Sequence, residues 1–172
     1  MVLRPPVYED ERGYFSPNFN ANALHELGIR TEFVQDNQSL SVNAGTVRGL
    51  HAQLPPFEQA KIVRVLAGRI LDVIVDARRS SASFGQWESY ELSADSHEQV
   101  FVPRGCLHGF ITLEPNTVVT YKVDNQYAPD HQVSVAWNDP DLGISWPQLS
   151  APITLSEKDQ TGLSWADFKT RL

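Results

Sequence analysis

The stretch KIVRVLAGRILDVIVDAR, from Lys61 to Arg78, consists of two extended runs on either side of Ala67 and Gly68. Both are rich in the β-branched residues that favour a pleated surface. Working outward, FGQWESYELS (84–93), EQVFVPRGCLHGFITL (98–113), TVVTYKVDNQYA (117–128) and HQVSVAW (131–137) add further short strands broken by Pro, Gly, Asn and Asp. Many short strands at this spacing predict a β-sandwich or barrel. Two helices are expected, both peripheral: one in NANALHELG (20–28) and one in SWADFKTRL (164–172), where Ser164 and Asp167 fit a capping box. With no internal repeat, low-complexity block or linker, 172 residues fit one domain with a sizeable core.

Composition excludes several classes of function. A net charge of -7 argues against a broad phosphate-backbone surface, which needs clustered Lys and Arg, so nucleic acid is not an expected partner. No apolar run is long enough for a bilayer, and MVLRPPVYEDERGYF lacks the apolar core of a secretory signal, so no membrane partner and a cytoplasmic location are expected. A single cysteine, Cys106, permits neither an internal disulfide nor a thiolate-rich zinc site and suits a small buried hydrophobe.

The stretch TVRGLHAQLPPFEQAK, from Thr46 to Lys61, places polar side chains where packing would not want them. If LPPFE forms a hairpin turn centred near Pro56, His51 lies opposite Lys61, with Gln53 and Gln59 on the same face. A register slip by one residue moves one strand's set to the other face. Such a strand face is poor core material, because buried polar groups cost free energy unless paired, and it suits a pocket. A second polar cluster lies in VPRGCLHGF, where His108 precedes Phe110 and Ile111. Two histidines on separate strands of a small closed β-structure can converge in its interior, where ligand cavities form.

The segments DERGYF, FVQDNQSLS, RGLHAQ, EQAKIVRVLAGRILDVIVDAR, SFGQW, VPRGCLHGF, YKVDNQYAP, WNDPDLGISWP and LSEKD occur in order along the chain. In this ordered set the chain resembles the dTDP-4-dehydrorhamnose 3,5-epimerase family. The resemblance implies an all-β, cupin-type jelly roll and a homodimer. It also implies an enzyme that needs no cofactor or metal and acts on a dTDP-linked 4-keto-6-deoxyhexose. By the same resemblance His51 is the base and Asp159 the carboxylate that orients it. Lys61 and His108 lie near the sugar oxygen that becomes an enolate, and Tyr121 is the proton donor on the opposite face. Tyr127 falls where an aromatic stacks on thymine, Arg48 matches a diphosphate contact, and Gln35 and Asn37 line the nucleotide site. Arg12 and Phe15 would reach across from the other subunit.

The chemistry asks for these residue types on its own terms. A ketone's α-hydrogen is far less acidic than an imidazolium, so a base alone does not make the carbanion accessible, and the developing oxyanion needs a preorganised cation or donor. A carboxylate on one ring nitrogen of a histidine fixes the tautomer that leaves the other nitrogen basic. Inversion requires a second acid on the other face.

Each residue has a plainer use as well. Asp159 stands three after Ser156 and fits a capping box; Lys61 fits a solvated strand lysine, Tyr121 and Tyr127 fit cross-strand packing, and Arg48 fits a carbonyl-satisfying side chain. Two departures from the family pattern bear on substrate choice and on the number of centres inverted. Pro17 stands where a glutamate is common, and Ala52 is smaller than the usual residue after the base. Two other readings fit parts of the sequence. A metal-dependent cupin would use His51, Glu58 and His108 as a facial triad. A non-catalytic binder of sugar nucleotides would need no base, orienter, stabiliser and acid together.

Overall fold

The computed structural model describes residues Met1–Leu172. In chain order the strands are β1 (Val2–Leu3), β2 (Tyr8–Asp10), β3 (Gly13–Phe15), β4 (Gln35–Ser41), β5 (Val47–Gln53), β6 (Lys61–Ala67), β7 (Arg69–Asp76), β8 (Trp87–Ser93), β9 (Gln99–Val102), β10 (Cys106–Thr112), β11 (Thr117–Val123) and β12 (Gln132–Ser134). Three short helices accompany them: α1 (Ala21–Glu26), α2 (Glu157–Gln160) and α3 (Trp165–Lys169). One five-stranded sheet runs β1-β9-β6-β11-β4 and the other β12-β5-β10-β7-β8, and every strand pair within them is antiparallel. The chain changes sheet between β4 and β5, β5 and β6, and β6 and β7, which winds it into a jelly roll.

The period of two along each strand explains the layers. Val63, Val65, Val100, Val102 and Val119 of one sheet meet Ile70, Ile74, Cys106 and Phe110 of the other in the core between the sheets. The alternate residues Leu50, Val73, Val75, Leu107 and Val133 face the opposite way and form a second core with Trp165, Phe168 and Leu142. Strands β7 and β10 are therefore covered on both faces, which is why their sequences are nearly continuous apolar runs.

Two sequence expectations change here. The helix in SWADFKTRL forms with Ser164 capping the Asp167 N–H as predicted, yet it is not peripheral, since Trp165 and Phe168 are buried as part of the second core. The hairpin expected across LPPFE does not form: β5 and β6 belong to different sheets, and His51 pairs with His108 on one side and Ser134 on the other. The intervening turn instead carries the chain from one layer to the other. Gln53 anchors it, donating to the carbonyls of Phe57 and Gln126 and accepting from the Ala128 N–H, while Gln59 donates to the Asn125 carbonyl. These two glutamines are structural pins and not part of the polar face that carries His51.

Strands β5 and β10 approach closely at two glycines, with a register irregularity between His108 and Phe110. A Cβ on Gly49 would sit 2.5 Å from the Gly109 Cα and 2.8 Å from the His108 carbonyl oxygen, and Gly49 has φ of +127°. Gly13 has a similar φ of +123° in open space. Gly13→Ala therefore carries backbone strain alone, about 1–3 kcal/mol. Gly49→Ala adds overpacking against backbone of about 1–3 kcal/mol. Urea unfolding should place Gly49→Ala below Gly13→Ala in stability by at least about 1 kcal/mol; equal losses would contradict the close packing of β5 on β10.

Candidate active site

One end of the space between the sheets is filled by the apolar core, and the other opens as a cavity of about 490 Å³. His51, Lys61, His108, Tyr121, Asp159 and Arg48 all line it, together with Ser39, Thr46, Gln132, Thr154 and Ser156. Lys61 and Tyr121 come from one sheet, while Arg48, His51 and His108 come from the other. His51 and Lys61 thus meet across the sandwich and not along a hairpin.

Asp159 arrives from the C-terminal segment. Thr154 bridges Thr46 at the start of β5, exchanging bonds with the Gly45 carbonyl and the Val47 N–H, each 2.9 Å. Ser156 then caps α2, and its Oγ accepts from the Asp159 N–H. The turn delivers the Asp159 carboxylate to His51, with Oδ1 2.5 Å from Nε2. Capping box and histidine partner are therefore one arrangement. Asp159 is buried, which works against its charge, but hydrogen bonds from His51 and Ser156 prevail and hold its carboxyl below the usual carboxylate range. As an ionised acceptor it takes the Nε2–H, leaving Nδ1 as the basic nitrogen of the ring.

His108 has its own carboxylate. Asp72, fully buried in β7, lies 2.7 Å from the His108 Nε2 through Oδ2, while its Oδ1 has no hydrogen-bond partner. The negative charge of Asp72 also acts on Lys61. Burial pushes the Lys61 ammonium down to about 8, with Asp72 opposing that shift. The Lys61 Nζ stands 5.9 Å from the centre of the Tyr121 ring. Burial raises the Tyr121 phenol, countered in part by the Arg48 charge. Arg48 itself is held by Ser41 Oγ and the Leu40 carbonyl.

The remaining residues singled out in the sequence lie away from the cavity lining. Arg12 pairs with Asp10 on the β2–β3 hairpin, where Phe15 is 67% exposed. Tyr127 is 58% exposed, and Gln35 donates to Asn37 Oδ1 at 2.7 Å along β4. The facial triad considered above is not assembled. His51 and His108 each hold a separate carboxylate, and no three His, Cys, Asp or Glu side chains cluster as a metal site would require. Cys106 is a buried free thiol in the core, pushed up by burial to about 11. Sequence reasoning missed Asp72, although a signal for it exists: it is the charged residue in the inward phase shared by Ile70 and Ile74. Ser39 and Gln132 were missed as well. Each lines the cavity and has a buried side-chain oxygen with no partner in the chain, and no local pattern marks them.

Comparison with known proteins gives a consistent result. The family model described as dTDP-4-dehydrorhamnose 3,5-epimerase matches residues 1–167. A relative of that name from Sinorhizobium fredii is 45% identical over 160 residues, covering 93% of this chain and 82% of the relative. The structure of a dTDP-4-dehydrorhamnose 3,5-epimerase from Bacillus anthracis, with TDP and PPi bound, superposes with a TM-score of 0.91 at 49% identity, covering 95% of this chain and 92% of that one. A dTDP-6-deoxy-D-glucose-3,5-epimerase from Legionella pneumophila, in complex with dTDP-4-keto-L-rhamnose, superposes with a TM-score of 0.90 at 41% identity, over 95% and 86% of the two chains.

Burial of the Lys61 amine makes stability depend on pH. Between about pH 8 and the ordinary value of 10.5 the folded protein holds less proton on this amine than the unfolded chain does. The cost of burying it is therefore full below pH 8 and fades as the pH rises toward 10.5. Lys61→Met should stabilise the protein at pH 7, by as much as about 3 kcal/mol, with the gain shrinking by pH 10. Denaturant unfolding of both proteins at the two pH values measures this, and a loss of stability at pH 7 would contradict it.

Proposed function

This chain belongs to the dTDP-4-dehydrorhamnose 3,5-epimerase family, and on that premise we propose that it epimerises a dTDP-linked 4-keto-6-deoxyhexose through an enolate, using its own side chains. The observation that carries the assignment of roles is the convergence of two carboxylate-held histidines, a lysine and a tyrosine on one cavity. His51, with its Nε2–H held by Asp159, takes the proton from the carbon beside the ketone on Nδ1. The electron pair moves to the ketone oxygen, where the Lys61 ammonium and His108 stabilise it. A positioned general base contributes roughly a hundredfold to ten-thousandfold, and a donor aimed at the oxyanion about 3–4 kcal/mol. Tyr121 returns a proton to the carbon from the opposite face, and the imidazolium and tyrosinate re-equilibrate with solvent. Asp72 keeps His108 in one orientation behind the enolate site.

Arg48 suits the diphosphate, and Gln35, Asn37 and Tyr127, outside the cavity lining, suit a nucleotide that extends beyond it. In this reading residues 1–172 act as one jelly-roll domain that works as a homodimer. Support for the dimer comes from the β2–β3 hairpin, which pairs only with itself and exposes Tyr8, Tyr14 and Phe15. Such side chains are costly in water and suit an interface, across which Arg12 and Phe15 would complete the partner's site. No helix is long and apolar enough to cross a membrane. A nucleotide-linked substrate supports a cytoplasmic location for the enzyme.

Proton NMR of dTDP-4-keto-6-deoxyglucose in deuterated water tests the reading at each centre separately. Deuterium should enter at C3 and at C5; exchange at one alone would make this a single-centre enzyme, in line with Pro17. His51→Asn should lower exchange roughly a hundredfold to ten-thousandfold while dTDP binding persists. Wild-type exchange in that variant would remove His51 as the base.

A further inference from the structure

We propose that Ser156 is a positioning residue for the base, its hydroxyl locking the Asp159 carboxylate so that the proton between Asp159 and His51 stays on the imidazole. The inference rests on His51 and Asp159 acting as proposed above.

The hydroxyl faces two groups of the same residue. The Asp159 N–H donates to Ser156 Oγ at 3.2 Å, and Ser156 Oγ lies 2.8 Å from Asp159 Oδ2. A backbone N–H can only donate, so the one hydroxyl proton is free to go to the carboxylate. His51 Nε2 occupies Oδ1. Two donors, one on each oxygen, thus fix a carboxylate that is only 6% exposed. Its rotation is suppressed and its basicity lowered, since hydrogen bonds to the charged form favour that form. Ser156 is itself well placed, because the neighbouring Thr154 is bridged to Thr46 at the start of the strand that carries His51. The charged or titratable groups around His51 are Asp159 from α2, Lys61 from β6, His108 from β10, Tyr121 from β11 and Arg48 from its own strand, with Asp72 behind His108.

Cap and lock can be separated by substitution. Glycine is nearly as good a helix cap as serine but has no hydroxyl, whereas threonine keeps both functions. In Ser156→Gly the carboxylate is free to rotate and aims the imidazole less well, and being more basic it holds the imidazolium more firmly. We therefore expect kcat to fall roughly tenfold with KM near the wild-type value, the usual weight of one charge-assisted hydrogen bond when water takes part of its place. The acidic limb of the kcat profile should move to higher pH, and Ser156→Thr should restore both. A wild-type kcat and an unmoved limb in Ser156→Gly would overturn the proposal, as would a loss of thermal stability with kcat intact, which would leave Ser156 a cap alone. His51→Asn measured alongside separates the two layers of argument. Exchange lost in His51→Asn but intact in Ser156→Gly overturns only the lock. Exchange retained in His51→Asn overturns the assignment of the base and the lock with it.

Discussion

The contact of 2.5 Å between His51 Nε2 and Asp159 Oδ1 joins residues 108 positions apart, and the rest of the site is arranged around it. It exists because the C-terminal segment folds back along the start of β5 through the Thr154 bridge before turning into α2. An unheld imidazole offers either nitrogen; a buried carboxylate on one of them decides which remains basic. In the proposed reaction that choice sets the direction from which His51 takes a proton, and inversion then asks for an acid on the other side of the cavity, where Tyr121 stands.

A sandwich of this size gains most of its stability from apolar packing between and outside its sheets, and the polar end of the interior works against that. Asp72 is fully buried with one oxygen unpartnered, burial lowers the proton affinity of Lys61, and Ser39 and Gln132, which line the cavity, each keep a buried oxygen without a partner. Unmet hydrogen-bonding capacity in an otherwise well-packed protein concentrates where something else is to be bound. The same groups thus weaken the fold and prepare the site.

The two glycines at the β5–β10 contact bring these ideas together. Their close approach lets the strand carrying Arg48 and His51 lie against the strand carrying His108 and Phe110 without side chains intervening. Both imidazoles then share the inner face of one sheet, with Lys61 and Tyr121 supplied by the sheet opposite.

Much of this was legible in the chain. The β-branched runs and turn residues determined an all-β fold, because strand formation and turn chemistry are short-range properties. The ordered motifs determined the family and nominated six of the side chains that line the cavity. Local pattern also misled: it paired β5 with β6, made Gln53 and Gln59 part of the polar face, and set α3 at the periphery. Those errors share a cause. Which strands become neighbours depends on burying both faces of β7 and β10 at once, a condition met only when distant segments pack together. The meeting of His51 with Lys61 across the layers, the pairing of Asp72 with His108, and the double use of Ser156 were decided by tertiary structure alone. Each joins residues whose separation in sequence carries no information about their distance in space.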